Sequence, residues 1–257
     1  MADAFYVPMG GDRYRSTPAT EGPWDPRFQH GGPPIALLVH ALERTAPRED
    51  ALLTRITAEF LAPVPVADLE TATTVVRDGR NVQLIDAELT ADGRTVMRAR
   101  AWRLRRTALE GLAPVGDGTA PPMPDTSVSS PVGIDFGYAR AMEWRVAAGT
   151  TDGPGPATVW TRLRTAVVAD VEPSPVQRVV AATDSGSGVS AVLDWARWTF
   201  LNVDLSVHLL RPPAGEWVCL DARTDVDPGG VGLATTTLWD HDGRIGSAAQ
   251  SLLVSPR

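Results

Sequence analysis

Lysine is absent from this chain of 257 residues, so all 24 strongly basic side chains are arginines. That excludes Schiff-base chemistry on a lysine and leaves guanidinium forks as the only strong phosphate ligands. Cysteine occurs once, as Cys219 in Trp217-Val218-Cys219-Leu220. An intramolecular disulfide and a cysteine-based zinc cluster are therefore excluded, and the apolar setting reads as a buried structural thiol. Positive charge is in deficit: the net charge of −7 argues against a general nucleic-acid binder, which needs a basic footprint. Long apolar runs are missing too. Ile35 to Val39 soon meets His40 and Glu43, far short of a membrane span. The opening Met1-Ala2-Asp3-Ala4-Phe5 has neither a basic segment nor an apolar signal core, so a cytoplasmic protein without a membrane partner is expected. No carboxylate or histidine cluster has ligand spacing, so no metal site is expected. A Gly-x-Ser-x-Gly elbow is lacking as well, which leaves no serine-hydrolase reading.

What is present is an ordinary globular composition, 43% hydrophobic and 21% charged, in a pattern that repeats. Phe5 to Pro8 reads as a short strand, followed by turn-rich chain to Trp24. His30-Gly31-Gly32-Pro33-Pro34 then opens an amphipathic helix over Ile35 to Thr45. Four strand-like runs follow: Thr54 to Leu61, Leu69 to Val76, Val82 to Thr90 and Thr95 to Leu104. In the last, Met97, Ala99 and Ala101 alternate with Arg98 and Arg100. Asp78-Gly79 and Asp92-Gly93 mark tight antiparallel turns. From Leu109 to Pro131 the composition turns to Gly, Pro, Ser and Thr, as in a linker. Beyond it the plan returns. Strand-like runs at Ile134 to Tyr138 and Val159 to Thr165 precede a helix opened by Ser174-Pro175. Further runs follow at Phe200 to Leu210, Glu216 to Thr224, Leu233 to Trp239 and Gly246 to Val254. Asp242-Gly243-Arg244 mirrors Asp92-Gly93-Arg94, and Leu210-Arg211-Pro212 mirrors Leu61-Ala62-Pro63 at nearly the same offset. The chain reads as a duplicated α+β unit, with halves at 1–107 and 133–257 joined by a linker at 108–132.

Two helix-plus-sheet units in one chain resemble double hot-dog proteins. His30-Gly31-Gly32 before a helix is similar to the glycine pair that opens the hot-dog helix in acyl-CoA thioesterases. Phe60-Leu61-Ala62-Pro63 and Val75-Val76-Arg77-Asp78-Gly79-Arg80 resemble the strand and turn that come next there. Asn202-Val203-Asp204-Leu205-Ser206 leading to Arg211-Pro212 and Gly215-Glu216-Trp217 resembles the acyl-CoA thioesterase II family. So does the closing Gly246-Ser247-Ala248-Ala249-Gln250-Ser251-Leu252-Leu253-Val254. The resemblance implies hydrolysis of an acyl-CoA, or a related pantetheine thioester, by a water held by Asp, Gln and Thr. By position these are Asp184, Gln250 and Asn202, the last an Asn where the family has Thr. No cofactor is implied beyond the CoA carried by the substrate. Homo-oligomerisation is expected, because exposed sheet edges invite pairing.

Thioester hydrolysis needs a positioned water, a proton acceptor and donors for the developing oxyanion. Asp184 is the candidate base or water-orienting group, against the alternative of a helix-end cap with Ser185 and Ser187. Gln250 shares a strand face with Ala248 and Leu252, where an amide needs a partner. Strict alternation puts Asn202 on the face of Asp204, Ser206 and His208, away from the helix, which leaves Thr183 and Thr199 as alternative hydroxyls. The His30-Gly31-Gly32 turn is a candidate carbonyl donor or a plain turn. Trp195, Trp198 and Phe200 are candidate acyl-pocket or core residues, with Trp198 assigned to substrate. Arg77, Arg80, Arg105 and Arg106 are the candidate CoA-phosphate ligands. Two other readings stay open: a silent acyl-binding module, and a hot-dog enzyme of dehydration or cyclisation.

Overall fold

Period-two burial runs through most of the sheet-forming sequence. From Val82 to Ala91 the inward residues are Gln83, Ile85, Ala87, Leu89 and Ala91, with half-buried residues between them, so the strand lays one face on a core. The computed structural model describes residues 4–112, 118–149 and 153–257. Its first half holds β1 (Ala4–Gly10), β2 (Arg13–Ser16), α1 (Gly32–Arg44), β3 (Ala51–Phe60), β4 (Asp68–Asp78), β5 (Val82–Ala91) and β6 (Arg94–Arg105). The second half opens with α2 (Gly137–Arg140), β7 (Met142–Ala148), β8 (Ala157–Leu163), β9 (Ala166–Val168), α3 (Pro175–Thr183) and α4 (Gly186–Val189). It closes with β10 (Trp198–Asn202), β11 (Asp204–Leu209), β12 (Val218–Asp227), β13 (Val231–Asp240) and β14 (Gly243–Pro256).

The strands form one sheet in the order β7-β8-β12-β13-β14-β11-β3-β6-β5-β4-β2-β1-β9, with β10 also pairing β14. The halves meet where β3 pairs antiparallel with β11. At the far end β9 lies parallel to β1. Two helices sit inside this wrap, which is the double hot-dog architecture. Asp92 and Gly93 both take positive φ in the two-residue β5–β6 turn, as a primed hairpin turn requires.

Helix α1 is buried nearly all round, from Gly32 through His40, so the sheet encloses it instead of meeting one stripe. Pro33 and Pro34 start it with φ already set. Ile35, Leu37, Leu38, Val39 and Leu42 are fully buried, each contributing roughly 1.5–3 kcal/mol of transfer free energy. Its C-terminus is closed by Arg103, an arginine on the inward face of β6. The buried guanidinium donates to the carbonyls of Leu42 (2.7 Å), Thr45 (3.0 Å) and Ala46 (2.8 Å), and to Gln83 Oε1 (2.5 Å). Helix α3 is capped by Ser174, whose Oγ accepts from Gln177 N at 3.1 Å. The two helices touch backbone to backbone: a Cβ on Gly32 would lie 2.2 Å from the Ala181 carbonyl oxygen. Glu43 of α1 also accepts from Ser174 Oγ and Gln177 Nε2 at the start of α3, each at 2.7 Å.

The structure departs from the sequence expectations in several places. The turn-rich stretch before Trp24 contains β2, four residues long. The strand expected at Ile134 to Tyr138 is instead an irregular approach to the short helix α2, and the strand comes later as β7. The single strand expected from Phe200 to Leu210 is two, broken at Val203. The linker is also more than a spacer, although its residues 113–117 lie outside the described ones. Pro121 and Pro124 offer carbonyls to Trp160 Nε1 (3.2 Å) and Arg145 Nη1 (3.0 Å), and Gly118 lies against the Trp239 ring. The proline-rich stretch therefore straps the second half of the sheet.

Candidate active site

The first turn beyond α3 brings a carboxylate into the interior. Asp184 stands at the C-cap of α3 and is only 5% exposed. Its Oδ1 accepts from Asn202 Nδ2 at 2.8 Å and, more weakly, from Gln250 Nε2 at 3.4 Å. Gln250 Nε2 also donates to the Asp184 carbonyl (3.1 Å), while Gln250 Oε1 accepts from Ser187 N (3.1 Å). A side chain on the last strand thus ties down the chain as it leaves the helix, which satisfies the amide that an inward strand position demands. The second hydrogen of Asn202 Nδ2 goes to the Asp204 carbonyl at 3.3 Å. Both amides spend their donors on Asp184 and its surroundings, leaving Asp184 Oδ2 toward the first half of the chain.

Asn202 reaches this position because the strand slips. Asn202 pairs with Leu252, whereas Ser206 pairs with Ala249, so one extra residue lies on this side between the two pairs. Val203 is 48% exposed, and the inward phase jumps from Phe200 and Asn202 to Leu205, Val207 and Leu209. A bulge of this kind re-aims side chains. Strict alternation across the whole run, which pointed Asn202 away from the helix, is corrected by it. The alternative hydroxyls are placed elsewhere. Thr183 Oγ1 is buried and donates back to the Val179 carbonyl (2.6 Å), and Thr199 does not line the cavity.

The opposite wall comes from the start of α1. His30 Nδ1 lies 3.2 Å from Asp184 Oδ2 and accepts from Gly32 N at 3.1 Å. The imidazole stacks flat on Tyr138, with centroids 3.8 Å apart and planes 3° from parallel. The Tyr138 hydroxyl bonds the Ala181 carbonyl (2.7 Å) and Ser185 Oγ (2.9 Å), so the platform is itself fixed. Burial holds the His30 imidazole below its ordinary value of 6.5, against the opposing pull of the Asp184 charge. Burial thus favours the uncharged ring in its contact with Asp184. Gly31 leaves room for the carboxylate: a Cβ there would fall 2.7 Å from Asp184 Oδ2 and 2.5 Å from Phe60 Cζ. No acceptor among the described residues takes the Gly31 N–H, so this helix end offers a donor beside the carboxylate.

Of these groups, His30, Gly31, Asp184 and Asn202 line a cavity of about 340 Å³. Its walls are aromatic: Trp24 stacks on Trp195 at 4.8 Å, and Phe200 meets both rings edge-on. Phe28, Phe60 and Leu201 continue the apolar lining. Trp198, assigned to substrate from the sequence, does not line this cavity; it pairs with Pro256 at the start of β10, and Trp24 and Trp195 stand there instead. Trp24 and Phe28 escaped the sequence reading because turn-rich chain carries no periodicity to aim a ring. Arg77, Arg80, Arg105 and Arg106 do not line the cavity either; Arg105 pairs with Asp50 at 2.7 Å. Cys219 is buried in the sheet, and burial pushes its thiol well up, so it stays protonated. Among the described residues no group of His, Cys, Asp and Glu has metal-holding geometry, and no helix is long and apolar enough to cross a membrane.

The enclosed helices and shared sheet define a double hot-dog protein with its polar cluster at the junction of the halves. The family follows from the sequence itself. Residues 20–104 match the acyl-CoA thioesterase N-terminal domain and residues 111–254 match the acyl-CoA thioesterase C-terminal domain. The chain belongs to this acyl-CoA thioesterase family and is a thioester hydrolase. Solved structures share the fold at low identity. A hot-dog protein from Alicyclobacillus acidocaldarius is 18% identical over 99% of this chain and 97% of that one, with a TM-score of 0.73. An acyl-CoA thioesterase II from Mycobacterium marinum is 14% identical over 98% and 95%, with a TM-score of 0.69. A tesB protein of Mycobacterium avium subs paratuberculosis is 17% identical over 98% and 96%, also with a TM-score of 0.69. A comparison with curated protein sequences finds no match.

Proposed function

We propose that this chain hydrolyses an acyl-CoA, or a related pantetheine thioester, by direct attack of a water at Asp184. The observation that carries the reading is one buried carboxylate whose Oδ1 is held by two amides, Asn202 and Gln250, and whose Oδ2 remains available beside an apolar cavity. The acyl group occupies the aromatic cavity, and the thioester carbonyl lies at the start of α1, where the free Gly31 N–H supplies an oxyanion donor. Asp184 Oδ2 takes a proton from the water as its oxygen bonds the carbonyl carbon. The C–S bond then breaks, giving a carboxylic acid and a thiol. Asn202, which stands where the family resemblance implies a Thr that helps hold the water, serves here by fixing the carboxylate.

The test is release of free thiol from a panel of acyl-CoAs, with Asp184→Asn as the comparison. We expect turnover by the wild type and a fall in kcat of at least about 100-fold in the variant, the scale of a lost acid–base group. Hydrolysis undiminished in Asp184→Asn sinks the mechanism. Binding without turnover across all chain lengths favours a silent acyl-binding module, and a carbon-skeleton product without free thiol favours a dehydratase or cyclase.

A further inference from the structure

His30 and Asp184 face each other in an arrangement that lacks one proton. The Gly32 N–H points at His30 Nδ1, so in the neutral ring Nδ1 is the acceptor and Nε2 carries the hydrogen. Asp184 Oδ2, also an acceptor, lies 3.2 Å from that same Nδ1. Two lone pairs at hydrogen-bond distance gain a bond only when a proton arrives between them. The Nε2–H has no partner among the described residues, and His30 lines the cavity. Parallel stacking on Tyr138 keeps the ring from turning away.

We propose that His30 is a second catalytic residue, the group that passes a proton from Asp184 to the leaving thiolate. The inference rests on the thioester reading given above. A water O–H bond breaks, its oxygen bonds the thioester carbon, and its proton goes to Asp184 Oδ2. There it completes the hydrogen bond to His30 Nδ1. As the C–S bond breaks, the Nε2 proton goes to sulfur and the Asp184 proton moves onto Nδ1. The enzyme is left with an Asp184 carboxylate and the other His30 tautomer. Exchange of protons with water restores the starting tautomer, and no oxidant, metal or co-reactant is needed.

Two measurements test this. The first is ¹⁵N NMR of the four histidines, assigned through His30→Phe, which keeps a flat ring on Tyr138. We expect a neutral Nε2–H tautomer for His30 at pH 7; an Nδ1–H tautomer or an imidazolium overturns the relay. The second is the dependence of kcat on the leaving group. His30→Phe should lose about 100-fold on alkyl thioesters, whose thiolates need a proton, and under about tenfold on aryl thioesters, whose thiolates leave unaided. A merely structural role predicts the same loss on both, and that result, or no loss on either, overturns the proposal. Absence of wild-type turnover on any thioester sinks the functional reading instead, while the NMR tautomer still judges the pair.

Discussion

At the scale of single residues, the two glycines that open α1 are neighbours with separate tasks. A Cβ on Gly31 meets the far ends of two side chains, Asp184 and Phe60, and no backbone. A Cβ on Gly32 meets backbone, the Ala181 carbonyl oxygen, which cannot move without parting the helices. Gly31→Ala should therefore leave the melting temperature within about 3 °C of wild type yet cut kcat/KM by roughly 100-fold. A displacement near 1 Å of a catalytic group has that effect. Gly32→Ala should destabilise by about 1–3 kcal/mol, the range for overpacking, seen as a melting temperature lower by several degrees. Equal thermal losses in both variants would contradict this division. Much of the site was legible at this scale. Asp184 stood out as an acid where a helix fails, and Gln250 entered through the family resemblance and its pairing with that acid. The approach of His30 to Asp184 was not legible, because the two lie 154 positions apart in the chain and nothing in composition fixes a tautomer.

At the scale of elements, alternation and turn chemistry revealed most strands to within a few residues, since each β-strand rests one face on the core and exposes the other. They failed where an element departs from its own period. The bulge at Val203 shifts the inward phase by one, so reading Phe200 to Leu210 as one continuous strand aimed Asn202 the wrong way. The contact between α1 and α3 has a consequence of its own. Glu43 is half-buried against Ser174 and Gln177, and desolvation raises its carboxyl above the ordinary 4.5, although those hydrogen bonds and the Arg103 charge oppose the rise. A raised acid favours the folded state most when protonated. Its contribution is whole below pH 4.5 and is lost as pH rises through its folded value. Glu43→Gln stays neutral throughout, so the wild-type melting temperature minus that of Glu43→Gln should be largest near pH 4 and fall toward pH 7. A difference that grows with pH would refute this account of the pair.

At the scale of the whole molecule, the duplication was readable from matched turns, yet the mirrored motifs give no hint of how the copies join. The join is backbone on backbone. β3 hydrogen-bonds to β11 in the middle of the sheet, β9 returns to β1 at its end, and Gly32 rests on the Ala181 carbonyl. Neither half can unfold without stripping the other of a strand partner and exposing a buried helix face. The Asp184 carboxylate comes from one half and the His30 imidazole beside it from the other. A chain of this length often melts in stages, domain by domain. Here calorimetry should show a single transition whose calorimetric and van't Hoff enthalpies agree. At roughly 0.7 kcal/mol per residue near 60 °C, that enthalpy is about 180 kcal/mol. Thioesterase activity, followed on the same temperature axis, should vanish within that transition and not before it. Two resolved transitions, or activity lost well below the melting temperature while the sheet signal persists, would mean that the halves are separate cooperative units and that the site opens between them before either one unfolds.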